Sequence, residues 1–226
     1  MLGTNLFFVF WIYIVVSIYF KMRIYNKYIL PKLIHFACSQ RPSYIQRQKV
    51  VPFAQGQVLE IGIGSGLNLP FYNSHLVERL TGIDPSQELW QSNPLDPKSL
   101  DFVVEHVIGT AESLPFDNTS YDTVLLTYTL CSIQDTTSAF DEIRRVLKPN
   151  GRLVFSEHGK APDPLVARWQ NLLNPVWKRL GGGCNLNRDI PDIINSNGFN
   201  FDQLEANYIP GWKPASFNYW GIARLH

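Results

Sequence analysis

The run Val58-Leu59-Glu60-Ile61-Gly62-Ile63-Gly64-Ser65-Gly66 constrains this chain more than any other feature. An apolar segment ends on a carboxylate and passes at once into three alternating glycines. Glycine tolerates positive φ and lets the backbone come close to a ligand. A second apolar run, Leu80-Thr81-Gly82-Ile83-Asp84, also ends on a carboxylate. A strand, a glycine loop and an acidic residue at the next strand tip describe a pocket for a nucleoside-bearing cofactor. The second carboxylate is placed to hold ribose hydroxyls.

The rest of the chain reads as alternating strands and helices. Val58–Ile61, Leu80–Ile83, Phe102–Val107, Thr123–Leu126 and Arg152–Ser156 are strand candidates. Between them, a short helix is expected after Gly66, limited by Pro70. Another begins at Leu89-Trp90 and ends at Asn93-Pro94, and Ser138–Leu147 carries helical periodicity through Phe140, Ile143 and Leu147. Such alternation predicts a mostly parallel sheet with helices on both faces. Leu165–Leu180 reads as a Trp-rich amphipathic stretch broken at Pro175, and a short helix is expected near Asp189–Asn197. Phe201–Ile209 and Phe217–Arg224 are close enough in sequence to pair antiparallel. With 226 residues the chain has room for one α/β domain, expected over residues 50–226.

The loop chemistry selects among nucleoside cofactors. The third glycine comes one residue earlier than in Gly-x-Gly-x-x-Gly, the spacing of many dinucleotide sites. Glu60 would repel a pyrophosphate and favour a ligand bearing an ammonium or sulfonium group. Both features weigh against an NAD(P)-binding oxidoreductase and towards S-adenosylmethionine. Taken together, Glu60-x-Gly62-x-Gly64-x-Gly66, Asp84, Gly109-Thr110-Ala111-Glu112-Ser113-Leu114-Pro115-Phe116, Tyr121-Asp122 and Arg145-Val146-Leu147-Lys148-Pro149-Asn150-Gly151 resemble the class I S-adenosylmethionine-dependent methyltransferases across roughly residues 50–160. The resemblance implies a Rossmann-like fold with S-adenosylmethionine as cofactor. It implies that Gly62, Gly64 and Gly66 pass the methionine part and ribose. Glu60 would support the loop or meet the cofactor ammonium, Asp84 would bind the ribose hydroxyls, Ala111 and Glu112 would lie along adenine, and Thr127 would stand near the methionine moiety.

The acceptor side is less constrained. Glu157 and His158 end the fifth strand and are the candidate catalytic pair, His158 as a general base if the acceptor must lose a proton. Leu126-Thr127-Tyr128-Thr129 stands where an Asn/Asp-Pro-Pro-Tyr motif would mark an amino-methylating enzyme. Glu157-His158, the Trp169–Trp177 segment, Gly183-Cys184-Asn185-Leu186-Asn187-Arg188 and the apolar N-terminus are similar to the membrane-associated alkyl thiol methyltransferases and their bacterial relatives. That similarity implies a small lipophilic thiol as methyl acceptor, with Trp169, Trp177 and Trp212 as candidate pocket walls and Arg188 as a structural hub. Methylation of a quinone or phenol at carbon or oxygen remains open, as does a membrane-tethered module that binds cofactor without turnover.

Leu6 to Phe20 is almost wholly apolar and uncharged, and Lys21, Arg23, Lys27 and Lys32 follow at once. The run falls short of the roughly 20 residues of a comfortable membrane span. Residues 1–21 are expected as an apolar anchor helix, with the catalytic domain on the cytoplasmic side by the basic flank. The alternative is a start at Met22 and a cytoplasmic protein. Residues 22–49, interrupted at Pro31, are expected as a lid or capping segment. The net charge of +1 gives no footprint for nucleic acid. Cys38, Cys131 and Cys184 form no Cys-x-x-Cys pair, so their spacing predicts no metal site, only free thiols acting as small hydrophobes. The oligomeric state is open.

Overall fold

A computed structural model describes residues 25–225, so the apolar run Leu6–Phe20 and its expected anchor helix lie outside the described residues. Seven strands form one mixed sheet: β1 (Gly56–Ile61), β2 (Val77–Asp84), β3 (Val103–Ile108), β4 (Tyr121–Thr127), β5 (Leu147–His158), β6 (Phe199–Tyr208) and β7 (Phe217–Leu225). Their order is β3-β2-β1-β4-β5-β7-β6. The first five are parallel, and β7 enters antiparallel between β5 and β6, as the short link between the last two strands predicts. Chain direction across the sheet reverses between β1 and β4, and ligand crevices in open α/β sheets form at such a point.

Alternating side chains give the sheet two cores. Leu59, Ile61, Val124 and Leu126 face one side, with Phe140 and Ile143 of the helix Thr136–Val146. Val58, Leu80, Leu125 and Val154 face the other, beside Val50, Val51 and Trp220. Both faces of the central strands are covered, which is why they read as near-continuous apolar runs.

The helices are α1 (Leu30–Cys38), α2 (Arg41–Val50), α3 (Gln87–Gln91), α4 (Thr136–Val146), α5 (Pro164–Leu180) and α6 (Ile190–Ser196), preceded by a π-helical turn at Tyr25–Ile29. Four expectations need correction. Pro31 does not break the helical run but stands where the π-helical turn passes into α1, so helical geometry changes at the proline without the chain leaving the helix. Pro175 lies inside a continuous α5. It removes one intrahelical bond, and a surface position leaves the freed carbonyl open to water. After Gly66 only a single 3₁₀ turn forms, Leu69–Phe71. α4 starts at Thr136 rather than Ser138 because the Asp135 carboxylate caps it, accepting from the Ser138 N–H at 3.1 Å. Among the described residues no helix is long and apolar enough to cross a membrane.

Candidate active site

The tips of β1, β2 and β4 open on a cavity of about 420 Å³, walled on its far side by Leu30, Pro31, Ile34, His35 and Cys38 of α1. This is within the usual size range of small-ligand sites. Gly62, Ile63, Gly64 and Ser65 of the glycine loop form its floor, whereas Gly66, expected to pass the cofactor, does not line it. Gly62 and Gly66 adopt φ of +76° and +69°, and a Cβ there would fall 2.2 Å from Thr129 Oγ1 and 2.7 Å from Asn93 Nδ2. A Cβ at Gly64, where φ is +52°, would make only ordinary van der Waals contact, with Asp84 Oδ2 at 3.9 Å.

Asp84 stands at the cavity edge and is locked by the loops on either side. Oδ2 accepts from the Gly64 N–H at 3.0 Å and Oδ1 from the Ser86 N–H at 2.8 Å. Each oxygen keeps acceptor capacity for a ligand donor. Burial pushes this carboxyl upward, against the two backbone bonds that favour its charged form. Ala111, Glu112 and Thr127 also line the cavity. Glu112 Oε1 accepts from the Gln134 N–H at 3.1 Å and so braces the loop before α4.

Glu60 does not line the cavity. Its carboxylate is fully enclosed, accepting from Asn68 Nδ2 at 2.8 Å and from the Tyr72 hydroxyl at 2.6 Å. Burial raises its pKa to about 7, and the Tyr72 bond, the nearby Arg47 charge and the Asn68 bond only partly offset this. Arg47 is the member of the site that sequence reasoning missed. It is 5% exposed, and Nη1 donates to Asn68 Oδ1 at 2.7 Å and to Thr127 Oγ1 at 2.8 Å. Its guanidinium lies 5.3 Å from the centre of the Tyr128 ring, and Tyr128 itself is held at φ +56°. In sequence Arg47 sits among Arg41, Gln46, Gln48 and Lys49 and looks like part of a solvated basic face. It is buried because α2 packs against β5 and β7, which brings its guanidinium to Thr127 at the tip of β4.

Glu157 and His158 are brought to the same strand end as Thr127, yet neither lines the cavity. The Glu157 carboxylate turns back to accept from the N–H groups of Thr129 (2.7 Å) and Leu130 (2.9 Å). His158 Nε2 lies 3.1 Å from Cys184 Sγ. Nor do Trp169, Trp177 and Trp212 wall this cavity: Trp177 and Trp212 pack on each other with ring centres 5.2 Å apart, and Trp169 is half exposed. Arg188 is a hub, donating to the carbonyls of Leu130 and Ile133.

Comparisons with known proteins agree with this geometry. The methyltransferase domain family model matches residues 59–155, which run from β1 into β5. Thiol S-methyltransferase TMT1B of Homo sapiens is 31% identical over 193 residues, covering 82% of this chain and 78% of that protein. Its Rattus norvegicus counterpart is 32% identical over 167 residues, covering 72% of this chain and 65% of that protein. The solved structure of a geranyl diphosphate methyltransferase in complex with S-adenosylmethionine superposes with a TM-score of 0.64 at 14% identity, covering 81% of this chain and 86% of that one, a likeness of fold. The glycine floor, the locked carboxylate at β2 and these relatives converge on one assignment: the chain is an S-adenosylmethionine-dependent methyltransferase of class I and belongs to the family that contains the thiol S-methyltransferases.

Proposed function

We propose that this enzyme methylates the sulfur of a small lipophilic thiol. The observation that carries the reading is the division of the cavity. Its glycine floor, Asp84, Ala111, Glu112 and Thr127 are grouped on the sheet side, while α1 contributes Leu30, Pro31, Ile34, His35 and Cys38 opposite, with His35 Nδ1 2.7 Å from Ser65 Oγ of the glycine loop. In this reading Asp84 takes the ribose hydroxyls and Ala111 and Glu112 follow the adenine. Thr127, oriented by Asn68 and Arg47, faces the methionine part. Glu60 supports the loop through Asn68 rather than touching the cofactor. The mainly apolar α1 side is left for the acceptor, with α1 as its lid, which His35 ties to the glycine loop. The similarity to thiol S-methyltransferases supports sulfur over oxygen or carbon.

The chemistry asks little proton transfer of the protein. A thiol of pKa about 8.5 is a few per cent ionised at neutral pH and releases its proton to water. The thiolate sulfur attacks the methyl carbon, a new C–S bond forms, and the old bond to the sulfonium breaks with its electron pair. The products are a thioether and S-adenosylhomocysteine. Positioning in line supplies most of the rate, which suits a site where Glu157 and His158 stand back from the cavity.

A membrane surface is the proposed source of the acceptor. On α5, Leu165, Trp169, Leu172, Val176 and Leu180 recur at helical spacing and are all exposed. Tyr28, Ile29, Leu33 and Phe36 are exposed on and just before α1. The two elements meet where the Tyr25 hydroxyl donates to the Leu180 carbonyl at 2.7 Å. Lys27, Lys32, Lys178 and Arg179 flank these apolar positions, the pattern of an interfacial surface. The apolar run Leu6–Phe20 immediately upstream supports the same orientation. The function is tested by presenting radiolabelled S-adenosylmethionine with a size-matched alkyl thiol, phenol, quinol and amine. Preferential transfer to the thiol is expected. Cofactor binding with transfer to the phenol or quinol alone would refute sulfur as the acceptor.

A further inference from the structure

Three soft donors distant in sequence meet behind the cavity wall. Cys131 stands in the turn after β4, His158 ends β5, and Cys184 lies in the loop after α5. One ligand atom from each falls within 4.8 Å of the other two. We propose that this Cys₂His cluster binds one zinc-class divalent cation, which clamps two segments of the cavity wall together.

The donor set suits the ion. Thiolate and imidazole are the ligands zinc prefers, two thiolates cancel a divalent charge so that a neutral unit is buried, and a water would take the fourth tetrahedral position beside the three protein ligands. Zinc distances of about 2.3 Å to sulfur and 2.0–2.1 Å to nitrogen place tetrahedral edges near 3.5–3.8 Å. The His158 Nε2 to Cys184 Sγ separation of 3.1 Å then has to open by only a few tenths of an ångström. The Trp177 indole N–H donates to Cys184 Sγ at 3.3 Å, a bond that a metal-bound thiolate strengthens. The polar contact of the His158 ring is the one Nε2 makes with Cys184 Sγ; ligation through Nε2 leaves the buried Nδ1 as an N–H that needs a water acceptor.

The surrounding backbone is arranged without the ion. Asn185 binds the Cys131 carbonyl through both its backbone N–H and its side-chain amide, each at 2.9 Å. Arg188 holds the carbonyls on either side, at Leu130 and Ile133. The two clamped segments carry Ser132 and Gly182 into the cavity wall. The cation is therefore a positioning element, and its ligands touch neither cofactor nor acceptor.

The test is metal content and spectroscopy on the full chain, purified without chelator. About one zinc per chain is expected. After chelator treatment, Co²⁺ should give a tetrahedral spectrum with a thiolate charge-transfer band that saturates at one equivalent. Cys184→Ser and His158→Asn should lose the band while still binding S-adenosylmethionine. Cys38→Ser, which alters a cavity thiol instead, should keep it. If the serine variant fails to fold, Cys184→His keeps a ligand and should bind Co²⁺ with roughly half the charge-transfer intensity, one thiolate replacing two. Absence of a band in the wild-type chain, its survival in folded Cys184→Ser, or a Cys131–Cys184 disulfide in the purified protein would each overturn the proposal.

Discussion

Replacing Asp84 by Asn is the sharpest probe of the cofactor assignment. The carboxylate is held by one backbone donor per oxygen, from Gly64 and Ser86, and in the proposed complex it also accepts two ribose hydroxyls. Asn keeps the shape but offers a single acceptor oxygen. One backbone N–H then faces an NH₂ group, and the hydroxyls lose a charged acceptor. A hydrogen bond to a charged group contributes about 1.5–3 kcal/mol. Because the Asn amide can still donate to one hydroxyl oxygen, the net loss should be near one such bond. That corresponds to a roughly 10- to 150-fold weaker dissociation constant for S-adenosylmethionine, measured by calorimetry. The unpaired backbone donor should also lower the stability of the free protein, by about 1–3 kcal/mol. A ribose-modified cofactor separates the two effects. An analogue lacking one ribose hydroxyl should lose affinity for the wild-type protein and lose much less for Asp84→Asn. A full penalty on the analogue in both proteins, or a change under threefold in Asp84→Asn, would show that this carboxylate does not read the ribose.

Three further outcomes are expected. Glu60 has its pKa raised to about 7 by burial, so the folded chain holds a proton that the unfolded chain releases near pH 4.5. This group's contribution is therefore full below pH 4.5, is lost as pH rises to 7, and amounts to about 3 kcal/mol across that window; chemical denaturation of wild type and Glu60→Gln as a function of pH should show a shallower slope in the variant, and parallel slopes would contradict the assignment. Gly62→Ala places a Cβ within 2.2 Å of Thr129 Oγ1 at φ +76°. The backbone strain alone is about 1–2 kcal/mol, so the melting temperature should drop and cofactor binding should fall below detection, and a wild-type titration curve would refute a tight loop. Leu172→Glu with Val176→Glu should reduce flotation of the full chain with vesicles containing anionic lipid while leaving transfer to a water-soluble thiol intact, and unchanged flotation would remove α5 from the membrane surface.

How much was legible in the sequence divides along a physical line. Features encoded by neighbouring residues could be read: the alternation that builds β1 to β5, the Gly62-Gly64-Gly66 turn with its positive φ, and Asp84 at the end of an apolar run. Each is a local preference that the fold then obeys. Features created by long-range convergence could not. Arg47 looks solvated in its own helix and becomes buried because α2 packs against β5 and β7, where Thr127 at the tip of β4 and Asn68 of the loop after β1 receive its guanidinium. Glu157 and His158 were placed correctly at a strand end, but a strand has two faces and a tip. Backbone donors at Thr129 and Leu130 draw the Glu157 carboxylate back into the turn. The cysteines make the point most strongly. Spacings of 27 residues from Cys131 to His158 and 26 from His158 to Cys184 match no metal motif, because such motifs describe ligands carried by a single turn or hairpin. A doubly wound sheet brings the loops at the same ends of adjacent strands together whatever their separation in sequence. Ligand sets in this architecture are therefore better sought among residues just beyond neighbouring parallel strands than among residues close in the chain. By that criterion Cys131 after β4 and His158 at the end of β5 are the pair to test first.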